Sequence, residues 1–205
     1  MLIAKEVPGL VDKLKGSRLQ VPAMLALFTG MRVGEVLGLR WNRVDLERKV
    51  IHVVEAVEYT KASGLRFKPP KTAASRRDIT LPAILVDCLR DHRRAQLELR
   101  MQLGAGRMPD DAFLFTDIEG NVPTPNSVSA AWHDAAAGLG VPGVTFHGLR
   151  HTHASQLIDS GVDIVTISKR LGHADPAITL KVYAHMFRQD DSKASAAIDA
   201  VFNRG

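Results

Sequence analysis

"TFHGLRHTHASQLIDSG", residues 145–161, sets His147, Arg150, His151 and His153 within seven consecutive positions. Behind them Ala154, Leu157 and Ile158 recur at helical spacing, so the stretch predicts a helix with a polar N-terminal end. Such an end can be a metal site, a phosphate clamp or an ordinary solvated helix start. His147 and His151 lie one turn apart and could face one ion. The zinc pattern on a helix, however, carries Glu beside the first His; here that position is Gly148, and Arg150 adds fixed positive charge between the two rings. No Cys, Asp or Glu stands close enough in sequence to complete a ligand set. His147 with Arg150 suits a phosphate better, because Arg presents a planar fork and a helix start adds partial positive charge. His151 and His153, taken singly, read as ordinary hydrogen-bonded helix residues.

Working outward, the elements predict a mainly α protein with a small three-stranded antiparallel β-sheet, an α+β class. LQVPAMLALF (19–28) is apolar all round and reads as a buried helix, and TGMRVGEVLGLRW (29–41) continues at helical spacing before WNRVDLERKV turns polar. VIHVVEAVEYT (50–60) is β-branched and reads as one strand; GLRFKP and RRDITLP give two more, bracketing the loop PPKTAAS. Helices follow over 82–103, 125–140, 162–172 and from Pro176, where Asp175 is a cap; a last amphipathic helix is expected over 189–202.

Composition bounds the function. The chain has 205 residues, 45% of them hydrophobic, enough for one large domain with a sizeable core. Its one cysteine, Cys88, excludes an internal disulfide framework and suits a reducing cytoplasm. No apolar run has the length of a signal peptide or membrane span, so a soluble, cytoplasmic protein is expected. With 27 Lys+Arg against 22 Asp+Glu the net charge is +5, which favours a polyanionic partner such as nucleic acid.

A phosphate clamp needs further cations and something that reacts. The chain supplies Arg32 with Glu35 in TGMRVGEVLGLRW, Lys71 in PPKTAASRRDI, and His173 followed by Tyr183 in LGHADPAITLKVYAH. In this order, Arg32, Lys71, H-x-L-R at 147–150, G-H at 172–173 and Tyr183 resemble the catalytic domain of the tyrosine recombinase (phage integrase) family. The similarity runs from about Leu19 to Phe187. It implies a site-specific DNA recombinase, an integrase that cleaves and rejoins strands through a 3′-phosphotyrosyl intermediate for integration or excision of mobile DNA. Neither metal nor ATP nor another cofactor is implied, since the covalent link conserves the bond energy.

The resemblance also assigns roles. Tyr183 matches the nucleophile; Arg32 and Arg150 match the arginines that hold the non-bridging oxygens. Lys71 matches the β-hairpin lysine that protonates the leaving 5′-oxygen. His147 matches a histidine that exchanges a proton with Tyr183 or bonds a phosphate oxygen, and His173 one that donates to the phosphate. Glu35 matches a supporting acid, expected to orient Arg32 or His147. Implied partners are double-stranded DNA bound near the nucleoid, with a homotetramer on DNA and a monomer without it. The reading expects residues 1–205 to be the catalytic domain, lacking the N-terminal core-binding domain of relatives. The tail, 190–205, is expected to dock its Ala194, Ala197, Ile198 and Val201 stripe on a neighbouring protomer. A type IB topoisomerase, a non-catalytic DNA-binding protein and a metal hydrolase are the alternatives.

Overall fold

The computed structural model describes residues 2–69, 75–186, 195 and 198–201. Helix α1 (Val7–Leu14) buries the stripe Val7, Leu10, Val11 and Leu14, and α2 (Gln20–Thr29) is buried on nearly every side. A helix apolar all round has to be central, and α2 packs against α6 (Phe146–Asp159), the helix of the histidine cluster. Gly30, at φ 70°, ends α2 in the left-handed conformation that favours glycine. The expected continuation through 29–41 shrinks to the short α3 (Val33–Leu37), because the chain must turn at Gly30 and again at Gly38.

The sheet is three-stranded and antiparallel, but its strands differ from those expected. Strands β1 (Val44–Asp45), β2 (Val50–Val53) and β5 (Arg77–Thr80) pair in the order β1-β2-β5, with Ile51 opposite Ile79 and both fully buried. Residues 50–60 do not form one strand: the chain breaks after Val53, and β3 (Ala56–Thr60) pairs with β4 (Gly64–Lys68) as a separate two-stranded ribbon. Two contacts account for the break. Glu55 turns to Arg40, at 2.6 Å. The β3 backbone lies so close to α3 that a Cβ on Gly34 would sit 2.4 Å from the Val57 carbonyl oxygen. The polar stretch supplies β1 because Asp45 accepts hydrogen bonds from the amides of Glu47 and Arg48, closing a tight turn into β2.

Helix α4 (Ala83–Gln102) follows the sheet, then α5 (Pro125–Ala136), whose fully buried Trp132 donates to the Val144 carbonyl oxygen. Side-chain caps set the remaining helix starts: Thr145 for α6, Asp163 for α7 (Ile164–Leu171) and Asp175 for α8 (Pro176–Tyr183). Residues Ala154, Ile158, Ile167, Leu171 and Tyr183 form a small apolar cluster separate from the main core. The tail helix expected over 189–202 lies mostly outside the described residues; within them, Ile198 and Val201 are exposed. Among the described residues no helix is long and apolar enough to cross a membrane.

Candidate active site

The site is assembled from loop-to-helix junctions. At the first, Arg32 is the residue before α3, and Glu35 reaches back to accept from its backbone N–H at 2.8 Å and from its Nη1 at 3.1 Å. Arg77, at the start of β5, donates to the same carboxylate from Nη1 (3.1 Å) and Nη2 (2.9 Å) and sends its Nε to the Arg170 carbonyl oxygen at 2.7 Å. Burial alone would raise the Glu35 pKa; the hydrogen bonds and charges of Arg77 and Arg32 outweigh it and hold the carboxyl below its ordinary value. The carboxylate and Arg77 side chains are only 5% and 6% exposed, whereas Arg32 is 43% exposed. Glu35 therefore aims one open guanidinium and anchors one closed one.

The second junction joins α6 to the end of α7. Buried Arg150 donates from Nη1 to the Gly30 carbonyl oxygen and from Nη2 to the Leu171 carbonyl oxygen (2.8 Å) and His173 Nε2 (2.9 Å). A guanidinium can only donate, so Nε2 of His173 is the acceptor. The imidazole proton then sits on Nδ1, 2.7 Å from Thr179 Oγ1. Burial, followed by the charges of Arg150, Arg32 and Arg77, lowers the His173 pKa to about 4, so the ring is neutral at pH 7. Burial and Arg32 also bring Arg150 down to about 9, still a cation at neutral pH. Gly172, φ 69°, permits this approach: a Cβ there would lie 2.6 Å from Arg77 Nη1.

Arg32, Glu35, His147, Ser75 and His173 line one open cleft, with Lys68 and Pro69 on its rim. Arg150 lies behind it, buried, with His173 between. Burial and the charges of His151, Arg150 and Arg32 keep the His147 pKa below its ordinary value. Tyr183 is not in that cleft. It is 4% exposed, and with His151, Gly148 and His185 it faces a smaller adjoining pocket. Its hydroxyl lies 2.7 Å from His151 Nδ1, so the ring against the phenol is His151 rather than His147. The two histidines stand edge to face, centroids 4.8 Å apart, dividing pocket from cleft. Burial raises the Tyr183 pKa, against a smaller opposite pull from Arg150.

His153 plays a structural part. Its Nε2 accepts from Arg170 Nε at 3.0 Å and its Nδ1 donates to the Leu27 carbonyl oxygen at 3.0 Å, tying α6 to α2 and α7. Burial, then the Arg170 charge, takes its pKa to about 3.

Of the residues singled out from sequence, the fold brings Arg32, Glu35, His147, Arg150 and His173 to one place, with Tyr183 next to it. Lys71 lies outside the described residues; Lys68, Pro69 and Ser75, which precede and follow the undescribed residues 70–74, line the cleft. Sequence reasoning missed Arg77, His151 and Thr179. Arg77 stands in the quoted stretch PPKTAASRRDI, and the one-turn spacing of His151 from His147 was considered from sequence only for a metal. Among the described residues no group of three or more His, Cys, Asp or Glu is placed to hold a metal ion.

Residues 1–190 match the family described as the phage integrase family. The chain belongs to that family. Among curated relatives of this integrase-family chain, a tyrosine recombinase XerC-like protein of Caldanaerobacter subterraneus subsp. tengcongensis is 30% identical over 208 aligned residues, covering 97% of the chain and 53% of the relative. The integrase of Staphylococcus phage L54a is 33% identical over 175 residues, covering 83% and 49%. The chain thus spans about half the length of the curated relatives it matches. Its fold is similar to that of the Tn1549 transposon integrase, solved in complex with transposon right end DNA: TM-score 0.78 at 20% identity, covering 97% of this chain and 65% of that one. It is also similar to the catalytic domain of bacteriophage HP1 integrase, TM-score 0.59 at 19% identity, covering 100% and 98%.

Proposed function

We propose that this integrase-family chain is the catalytic domain of a site-specific DNA recombinase, cleaving and rejoining strands through a 3′-phosphotyrosyl link. The observation that carries the reading is the cleft in which Arg32, His147 and His173 meet over buried Arg150, with Tyr183 in the adjoining pocket. In this reading a scissile phosphate enters the cleft and meets the open Arg32 first. Arg150 exchanges its bond to His173 Nε2 for one to a phosphoryl oxygen, and the paired guanidiniums offset the charge that builds up at phosphorus. His147 bonds a phosphate oxygen from the cleft wall.

His173 must change its proton arrangement to help. While Arg150 donates to its Nε2, that nitrogen offers a phosphate nothing. Once Arg150 turns to the phosphate, the ring can lose its Nδ1 proton to solvent and take one at Nε2, aimed at the ligand, while the Thr179 hydroxyl reverses and donates to the bare Nδ1. Lys71, which lies in sequence between the cleft residues Pro69 and Ser75, protonates the departing 5′-oxygen. Tyr183 attacks phosphorus from the side of the adjoining pocket, its hydroxyl still against His151. The resting arrangement keeps the nucleophile out of the phosphate cleft, which suits a chain that cuts only when DNA is in place.

Double-stranded DNA as partner is supported by the DNA complex of the Tn1549 integrase and by the chain's positive charge. A homotetramer on DNA with the tail docked on a neighbour belongs to this proposal; exposed Leu180 and Val182 on α8 and exposed Ile198 and Val201 in the tail supply apolar surface for contacts between protomers. The test is to incubate the protein with a library of nicked duplexes in EDTA, denature in SDS and sequence the DNA that stays attached. Recovery of a common sequence is expected. An adduct that forms only after a divalent ion is restored would contradict the fixed-cation clamp.

A further inference from the structure

The buried hydroxyl of Tyr183 has to give its proton to an acceptor, and the one placed to take it is His151 Nδ1 at 2.7 Å. The two rings tilt at 58° with centroids 5.7 Å apart, so the nitrogen lone pair meets the hydroxyl rather than the ring face. His147, for which the family resemblance implied either proton exchange with Tyr183 or a bond to a phosphate oxygen, stands one helical turn earlier and lines the phosphate cleft. The proton contact and the phosphate contact thus belong to different histidines.

We infer that His151 is the proton acceptor that activates Tyr183. The inference rests on the recombinase reading. As Tyr183 Oη bonds to the scissile phosphorus and the bond from phosphorus to the 5′-oxygen breaks, the phenolic proton passes to His151 Nδ1. The 5′-oxygen takes its proton from Lys71. In rejoining, the incoming 5′-hydroxyl returns a proton to Lys71, and the departing tyrosine oxygen recovers its own from His151. No oxidant, metal or nucleotide enters the balance.

The surroundings favour a transfer that is brief and reversible. The charged and titratable groups around His151 are Arg150 and His147 on its own helix, Tyr183 on α8 and His185 just beyond it. Burial and the charge of Arg150 keep the ring neutral near pH 7, ready to accept. The imidazolium formed beside Arg150 would be unfavourable in the free protein, and a phosphate anion arriving between them relieves that repulsion.

Two experiments test this. In the free protein, nitrogen-15 NMR of the imidazoles should show His151 with its proton on Nε2 and a bare Nδ1; a proton on Nδ1 would overturn the assignment without reference to DNA. On the nicked duplex recovered from the library, His151→Asn keeps an acceptor oxygen near the Nδ1 position but cannot hold a proton. It should bind DNA with unchanged affinity and form the adduct more slowly by on the order of 100-fold, the scale of a lost general base. The wild-type rate should also fall on the acid side, at a pH below the ordinary histidine value of about 6.5 because the His151 pKa is lowered, and that limb should vanish in the Asn variant. Wild-type cleavage by the Asn variant with the limb intact would overturn the inference alone. Absence of any adduct with the unsubstituted protein would overturn the recombinase reading and this inference with it.

Discussion

Glu35 sets the direction of two arginines, and it does so by staying charged while almost wholly buried. Its oxygens serve the Arg32 backbone, the Arg32 side chain and both terminal nitrogens of Arg77. Glu35→Gln removes the negative charge and leaves buried Arg77 facing a neutral amide. Breaking a buried pair from one side costs about 3–5 kcal/mol, so a urea unfolding midpoint well below wild type is expected, together with slower adduct formation as Arg32 loses its aim. An unchanged midpoint would mean that the pairing is not what holds the junction. His153 makes a separate, pH-dependent contribution. Its folded pKa of about 3 lies below the unfolded value near 6.5, so the unfolded chain takes the proton first as pH falls. The stability is complete above pH 6.5 and drains away below it, by ~2 kcal/mol between pH 6.5 and 5. Denaturant titrations at the two pH values check this; His153→Gln should remove its own share of the difference and leave that of His173, whose pKa is also lowered, to about 4. The identities of Arg32, Arg150 and His173 could be read from motifs because their order along the chain is distinctive. The bonds from Arg77 to Glu35 and from His151 to Tyr183 could not, because each joins residues far apart in sequence and is made by the fold.

At the scale of elements, the helices were legible where their signals are local. Thr145, Asp163 and Asp175 cap α6, α7 and α8 through their own side chains, and Pro176 marks the first turn of α8. Strands were less legible, since the break after Val53 depends on Arg40 and on the close approach of α3, neither of which shows in the β-branched run itself. Glycines at element ends tie the two levels together. Gly172→Ala places a Cβ in a left-handed backbone and 2.6 Å from Arg77 Nη1, whereas Gly161→Ala, at φ 77°, meets open space. Both should lose about 1–2 kcal/mol to backbone strain. Only Gly172→Ala should also slow cleavage, by pushing Arg77 off Glu35 and shifting His173. Equal cleavage rates in the two variants would argue that the α7 end does not position the site.

For the whole molecule, the basic charge and the mainly α composition pointed to class and partner, while the partition of the site into a phosphate cleft and a tyrosine pocket appeared only in three dimensions. That partition is the feature on which the functional account turns: cations wait in one compartment and the nucleophile in the next. The central claim is that Tyr183 itself becomes joined to DNA. The chain has two tyrosines, and trypsin separates them, releasing Tyr183 in the peptide spanning 182–188. Mass spectrometry of the SDS-resistant adduct, after nuclease and trypsin digestion, should find the nucleotide remnant on that peptide, and Tyr183→Phe should give no adduct. A remnant on any other peptide, or an adduct that persists in the Phe variant, would contradict the account.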